Sequence, residues 1–205
     1  MIKKLNLEKS DRNYYQAGLT PEIRDLDVYY YLTVSGRCAP EDQVFLEAIE
    51  ALYKVAYAVK FRLKNKDQDF VVPKMEGFWW LDKEIKDIDD FKKVPRSEWN
   101  WKIMIRLPDF VEKADYEISL ALTLDKNEDR PLLNSVKYEK IHEGLCAQIL
   151  HIGSYEEEDT SLMKLYDFIE KSGYRINNQH HEIYLSDPRR TPEHKLRTIL
   201  RYGIE

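Results

Sequence analysis

The first strongly patterned stretch is Leu26-Asp27-Val28-Tyr29-Tyr30-Tyr31-Leu32-Thr33-Val34-Ser35-Gly36. It is rich in β-branched and aromatic residues and ends at a glycine, which predicts a strand. Pro40-Glu41-Asp42 opens a long helix in which Phe45, Ile49, Leu52, Ala56 and Val59 recur at helical spacing, with Ala48 and Val55 widening the stripe. It runs out in the charged stretch Lys64-Asn65-Lys66-Asp67. A short strand follows at Met75–Leu81, then a charged connection over 83–96. From Trp99 to Leu107 the alternation is clean. Trp99, Trp101, Ile103, Ile105 and Leu107 share one face, and Asn100, Lys102, Met104 and Arg106 share the other. Residues 1–25 are polar with scattered aromatics and predict an arm laid over the surface.

Pro108-Asp109 marks a second helix start, with Asp109 and Glu112 spaced as a capping pair and Val111, Ile118 and Leu122 as its apolar positions. A strand near 135–141 and another over 144–152, closed by Gly153, come next. Residues 161–171 predict a helix with Leu162, Leu165, Phe168 and Ile169 inward, stopped by Gly173. Strands follow at 181–186 and 195–204. The order strand, helix, strand, strand thus occurs twice, which predicts a single α+β domain of two tandem modules. The first covers about 26–108, a connecting helix and strand about 109–143, and the second about 144–205. Glu76-Gly77-Phe78-Trp79-Trp80-Leu81-Asp82 and Glu182-Ile183-Tyr184-Leu185-Ser186-Asp187 hold matching places in the two halves. Two such modules related by a pseudo-two-fold axis would leave a ligand cleft between them.

The charge balance, 32 Lys+Arg against 37 Asp+Glu, gives a net charge of −5 and no basic surplus for phosphates. No nucleic-acid partner is expected. The seven glycines are never closer than Gly144 and Gly153, so G-x-G-x-x-G, the P-loop and G-x-S-x-G are absent and no cofactor is expected. Cys38 and Cys146 lack the paired spacing of zinc or redox motifs. No apolar run is long enough for a membrane span, and the N-terminus carries no apolar leader, so the expected location is the cytoplasm, with no membrane partner.

Candidate chemistry lies in acids and aromatics. Glu182 shares a strand face with Tyr184 and Ser186. An ionised carboxylate beside aromatics attracts a lipophilic cation; a desolvated one becomes a general base near neutral pH. By periodicity alone an exposed edge-strand glutamate is the commoner case. Glu76 holds the corresponding place in the first half, beside Phe78 and Trp80, where pairing with a nearby Lys or Arg is the plain alternative. Trp79, Trp80, Trp99 and Trp101 serve either as core or as stacking surface for a planar ligand. Tyr155 follows Gly153-Ser154 just before a helix, and the run Glu156-Glu157-Glu158-Asp159 reads as a solvated helix N-terminus. Adjacent His180 and His181 point to opposite faces of a strand, and no metal is expected.

Several segments together resemble the GyrI-like small-molecule-binding family, and within it the stand-alone branch linked to cyclopropanoid hydrolysis. They are Glu47-Ala48-Ile49-Glu50-Ala51-Leu52-Tyr53, Glu76-Gly77-Phe78-Trp79-Trp80 and Glu98-Trp99-Asn100-Trp101-Lys102-Ile103-Met104-Ile105-Arg106-Leu107-Pro108 in the first half. In the second they are His151-Ile152-Gly153-Ser154-Tyr155 and His181-Glu182-Ile183-Tyr184-Leu185-Ser186-Asp187-Pro188. Phe78 stands where the family pattern has leucine. The resemblance implies a cleft between the modules with Glu182 facing it. It implies a lipophilic aromatic small molecule as partner of a detoxifying hydrolase, in which Glu182 would activate water; Tyr155, unless it merely packs its ring, or a nearby group would orient the water or stabilise charge on the substrate. Glu76, Trp79, Trp80, Trp99, Trp101 and Tyr184 would bind the ligand. A non-catalytic effector-binding module is the alternative it allows.

Overall fold

A computed structural model describes residues 4–82, 93–127, 130–177 and 179–205. Two short turns, α1 (Leu7–Ser10) and α2 (Arg12–Tyr15), lead into β1 (Glu22–Arg37), α3 (Gln43–Lys64), β2 (Glu76–Trp80) and β3 (Asn100–Leu107). After α4 (Lys113–Asp125) come β4 (Lys137–Ile152), α5 (Asp159–Lys171), β5 (His180–Tyr184) and β6 (Arg197–Gly203). The predicted helices and strands are therefore present. The predicted connection over 83–96 lies outside the described residues from 83 to 92.

The six strands form a closed antiparallel barrel in the order β1-β3-β2-β5-β6-β4. Each half contributes three adjacent strands. The halves join along β2–β5, from Glu76↔Ile183 to Trp79↔His180, and along β1–β4, from Glu22↔Gln148 to Thr33↔Lys137. They are one hydrogen-bonded barrel rather than two sheets that meet only across a cleft.

Strand alternation sorts the side chains onto two faces. Leu26, Tyr31, Phe78, Met104, Cys146, Leu150, Ile183 and Ile199 come from all six strands and cluster inside the barrel. On the outer face the apolar stripe of α3 packs on Leu32, Val34, Trp79, Trp101, Ile103 and Ile105. Leu165 and Ile169 of α5 pack on Ala147, Ile149, Leu200 and Tyr202. No helix among the described residues is long and apolar enough to cross a membrane.

Three expectations change. The N-terminal residues are not a surface arm, because Tyr14 and Tyr15 are 0% and 3% exposed and fill the barrel interior. Backbone bonds fix this segment: Leu5 N–H to Asp69 O at 2.9 Å, and Leu150 N–H to Gly18 O at 2.7 Å. The strands expected at 135–141 and 144–152 are one strand, β4, since Gly144 takes φ 67° while remaining opposite Leu26. A glycine absorbs that twist without ending the pairing. The third change is in α4, which starts four residues after Asp109 and has Glu112 at its N-cap with no side-chain cap bond. It buries Asp115, Tyr116, Ser119 and Thr123 and leaves Ile118 and Leu122 exposed. Asp115 binds Arg62 and Lys66 at 3.0 and 2.8 Å, and Tyr116, Leu120 and Leu124 rather than Ile118 and Leu122 pack against the core.

Candidate functional site

The outer face of β5 carries His180, Glu182 and Tyr184, and the register sets Glu182 opposite Gly77 of β2 and Leu200 of β6. The site therefore lies where the two halves join. A side chain at Gly77 would put its Cβ 3.1 Å from Trp79 Nε1 and 3.4 Å from Tyr184 Oη. With glycine there, the Trp79 indole N–H donates to Tyr184 Oη at 3.0 Å. Tyr184 follows Glu182 on the same face of β5, and the Glu182 charge adds to burial in raising its hydroxyl pKa.

The segment between β4 and α5 supplies the opposing groups. Gly153 takes φ 149°, and a Cβ there would meet His151 Nε2 at 3.1 Å and a Glu157 oxygen at 3.2 Å. The His151 ring ties the segment down through Ser154 O and Ser161 Oγ, both at 3.0 Å. This turn places the Tyr155 ring edge-on to Tyr184, with centroids 5.8 Å apart. It also turns Glu158 inward. Glu158 is 7% exposed, not part of a solvated run, and one donor atom each from Glu158, His180 and Glu182 lie within 4.8 Å of one another.

Burial, then the charges of Glu182 and Asp159, push the Glu158 carboxyl well above the usual carboxylate range. Two carboxyl groups side by side in low dielectric resist ionising together. Burial, followed by Glu182 and Glu158, raises the Tyr155 hydroxyl to about 12, so it is a proton-bearing donor at neutral pH. Tyr184 and Tyr202 rise further, again chiefly by burial. The arrangement combines an acidic pair, hydroxyl donors and aromatic walls.

The remaining sequence candidates divide. Trp79 borders the site through Tyr184, and Trp99 packs edge-on against Trp79 at 6.2 Å. Trp101 is 1% exposed, wedged against Phe45 at 5.0 Å, and is a core residue rather than a ligand contact. Trp80 packs with the barrel-interior cluster on the other face of β2. Glu76 also points into the barrel, fully buried, and does not face Glu182. It accepts hydrogen bonds from Tyr14 and, at 3.3 Å, from Tyr15, with His181 Nε2 at 3.1 Å. His181 Nδ1 contacts Glu143 at 3.1 Å, and Arg201 donates to Glu143 at 3.2 Å and to Gln148 at 3.0 Å. Glu76 thus belongs to a buried network with Tyr14, Tyr15, His181, Glu143 and Arg201.

An open groove of about 560 Å³ lies elsewhere, between α4 and the start of β4. Its tyrosines already donate to backbone carbonyls, Tyr116 to Val136 and Tyr138 to Val111, and its Glu139 binds Lys102 and Thr33. At the β5 site, by contrast, Glu158 Oε1 and both ring nitrogens of His180 are among the buried polar atoms that lack a hydrogen-bond partner among the described residues.

Sequence reasoning missed Glu158 and His180. The four-acid run around Glu158 has the composition of a solvated helix start, and only the turn at Gly153 reveals which acid faces inward. Alternation did put His180 on the face of Glu182.

A comparison with curated proteins gave no match. Among solved structures, a conserved uncharacterized protein of Listeria innocua is 32% identical with a TM-score of 0.90, over 98% of this chain and all of that one. A hydrolase of Listeria innocua is 30% identical with a TM-score of 0.85, again over 98% of this chain and all of its own. A further Listeria innocua hydrolase, encoded by lin2189, is 31% identical with a TM-score of 0.87, over 99% of this chain and all of that one. The family model of the GyrI-like small molecule binding domain matches residues 19–202. With nearly its whole length so matched, the chain belongs to the family of GyrI-like small-molecule-binding domains.

Proposed function

We propose that this protein is a cytoplasmic detoxifying hydrolase that opens the strained ring of cyclopropanoid aromatic compounds by adding water. The observation that carries the reading is the Glu182 carboxylate. Its side chain is 14% exposed, and it sits at the junction of the two halves beside Tyr155, Tyr184 and the second carboxyl of Glu158. The two Listeria hydrolases that share the fold end to end support a hydrolytic reaction. On this reading the two halves are pseudo-two-fold modules and the ligand lies between them.

In the reaction Glu182 takes a proton from water, and the water oxygen bonds to a ring carbon. The strained C–C bond breaks and its electron pair moves into the conjugated carbonyl. That oxygen becomes a phenolate, stabilised by the Tyr155 hydroxyl and protonated from the neighbouring Glu158. Passage of the proton from Glu182 to Glu158 then restores both carboxyl groups, and the sum is substrate plus one water. Trp79, Tyr184 and Trp99 supply stacking surface, on the order of 1 kcal/mol per good aromatic pair.

The test is incubation with a duocarmycin-type cyclopropanoid followed by mass spectrometry. The expected product is heavier by one water and forms over many turnovers. Glu182→Gln should slow it by about 10²–10⁴-fold, the usual contribution of a positioned base. The same carboxylate among aromatic rings also suits a non-catalytic module for lipophilic cations. That reading takes over if the compound is unchanged, tryptophan fluorescence is quenched, and Glu182→Gln weakens only cation binding.

A further inference from the structure

Buried polar atoms are nearly always paired, and those that are not call for an explanation. His180 is 7% exposed, and among the described residues neither of its ring nitrogens has a hydrogen-bond partner. Its Nε2 stands 3.1 Å from Glu182 Oε1, yet off the direction a hydrogen bond needs. Glu158 Oε1 is likewise buried and unpartnered. One ligand atom each from Glu158, His180 and Glu182 lie within 4.8 Å of one another.

We propose that Glu158, His180 and Glu182 form a binding site for a divalent transition-metal ion of the Zn²⁺ type, with a fourth position open to water or ligand. One imidazole and two carboxylates suit Zn²⁺ and its neighbours; Mg²⁺ and Ca²⁺ prefer six or more oxygens. Bonds of roughly 2.0–2.2 Å in a tetrahedron put ligand atoms about 3.3 Å apart, so small side-chain rotations close the set. The frame for those rotations exists. The His180 ring lies on Tyr202 at 4.9 Å, and Tyr184, two residues after Glu182 on the same strand face, is fixed by Trp79. His181 cannot compete for the ion, since it faces the barrel interior between Glu76 and Glu143. The adjacent histidines do not share a metal, as their alternation dictates; the third ligand comes from the turn before α5.

The proposal stands apart from the hydrolase reading, because binding is measured without substrate. Where both hold, the ion occupies the base, and Zn²⁺ inhibits turnover.

The experiment titrates the chelator-stripped full chain with Co²⁺, then with Zn²⁺. Expected are one equivalent of Co²⁺ with visible absorption of a low-coordinate site, its displacement by one equivalent of Zn²⁺, and at least tenfold weaker binding in Glu158→Gln and His180→Gln. Ring NMR of the unaltered chain guards against variants that fail to fold. Among the five histidines, Zn²⁺ should shift His180 first. Absence of saturable uptake overturns the proposal. So do unchanged affinity in folded variants, or a first response at His142, His151 or His194.

Discussion

Arg201 is fully buried, yet its guanidinium is well served: it donates to Glu143, to Gln148 and, at 2.7 Å, to the backbone oxygen of Tyr14. Burial alone would raise the Glu143 carboxyl, but His181 and Arg201 beside it hold its pKa down at about 2. The ordinary value is 4.5, so the folded state binds this proton less readily than the unfolded one. Glu143 therefore adds stability that is complete above about pH 5 and is lost as the pH falls toward 2. Urea unfolding of Glu143→Gln across pH 2 to 6 should show a shallower acid limb than the parent. At neutral pH, where Arg201 is left with less compensation, the variant should be destabilised by about 3–5 kcal/mol. His181 works in the opposite sense. Burial would lower its pKa, Glu143 outweighs that, and the net rise makes its contribution fade as the pH climbs past the folded value. At this scale the sequence disclosed much about Glu182, whose face follows from alternation. It disclosed little about Glu76, because alternation gives a side without saying which side is the interior.

The α1–α2 segment is an internal element in energetic terms. Asp11 pairs with Arg106 at 2.8 Å, and the Arg106 guanidinium lies 3.5 Å from the Tyr29 ring centroid and 4.4 Å from that of Tyr14. Removing residues 1–18 would uncover Glu76, Arg106 and Arg201 together. The shortened chain should bind a hydrophobic dye and lose at least 10 °C in Tm by scanning calorimetry, since several buried polar groups lose partners at once. Its role was illegible because a short polar stretch with two aromatics has no period to read. By contrast α3 and β3 were plain. Phe45, Leu52, Val55 and Val59 form an unbroken buried stripe, and Trp101, Ile103, Ile105 and Leu107 an unbroken buried alternation.

For the whole molecule, the pairings that close the barrel are distant in sequence, with Glu22 opposite Gln148 and Glu76 opposite Ile183. Pattern reveals strands but not their partners, so the individual strands were legible and the closure of the barrel was not. Such distant pairings slow folding. Stopped-flow refolding should take milliseconds to seconds or longer, the range of domains dominated by non-local contacts. The position of β6 adds a consequence for synthesis. Residues 197–203 are the seam between β4 and β5, hydrogen-bonded on both sides. A ribosome that has released everything up to residue 196 holds a chain with two open edges, on β4 and on the short β5, each a template for pairing with another chain. Until β6 emerges and pairs on both sides, chaperones that cover exposed strand edges would protect the nascent chain.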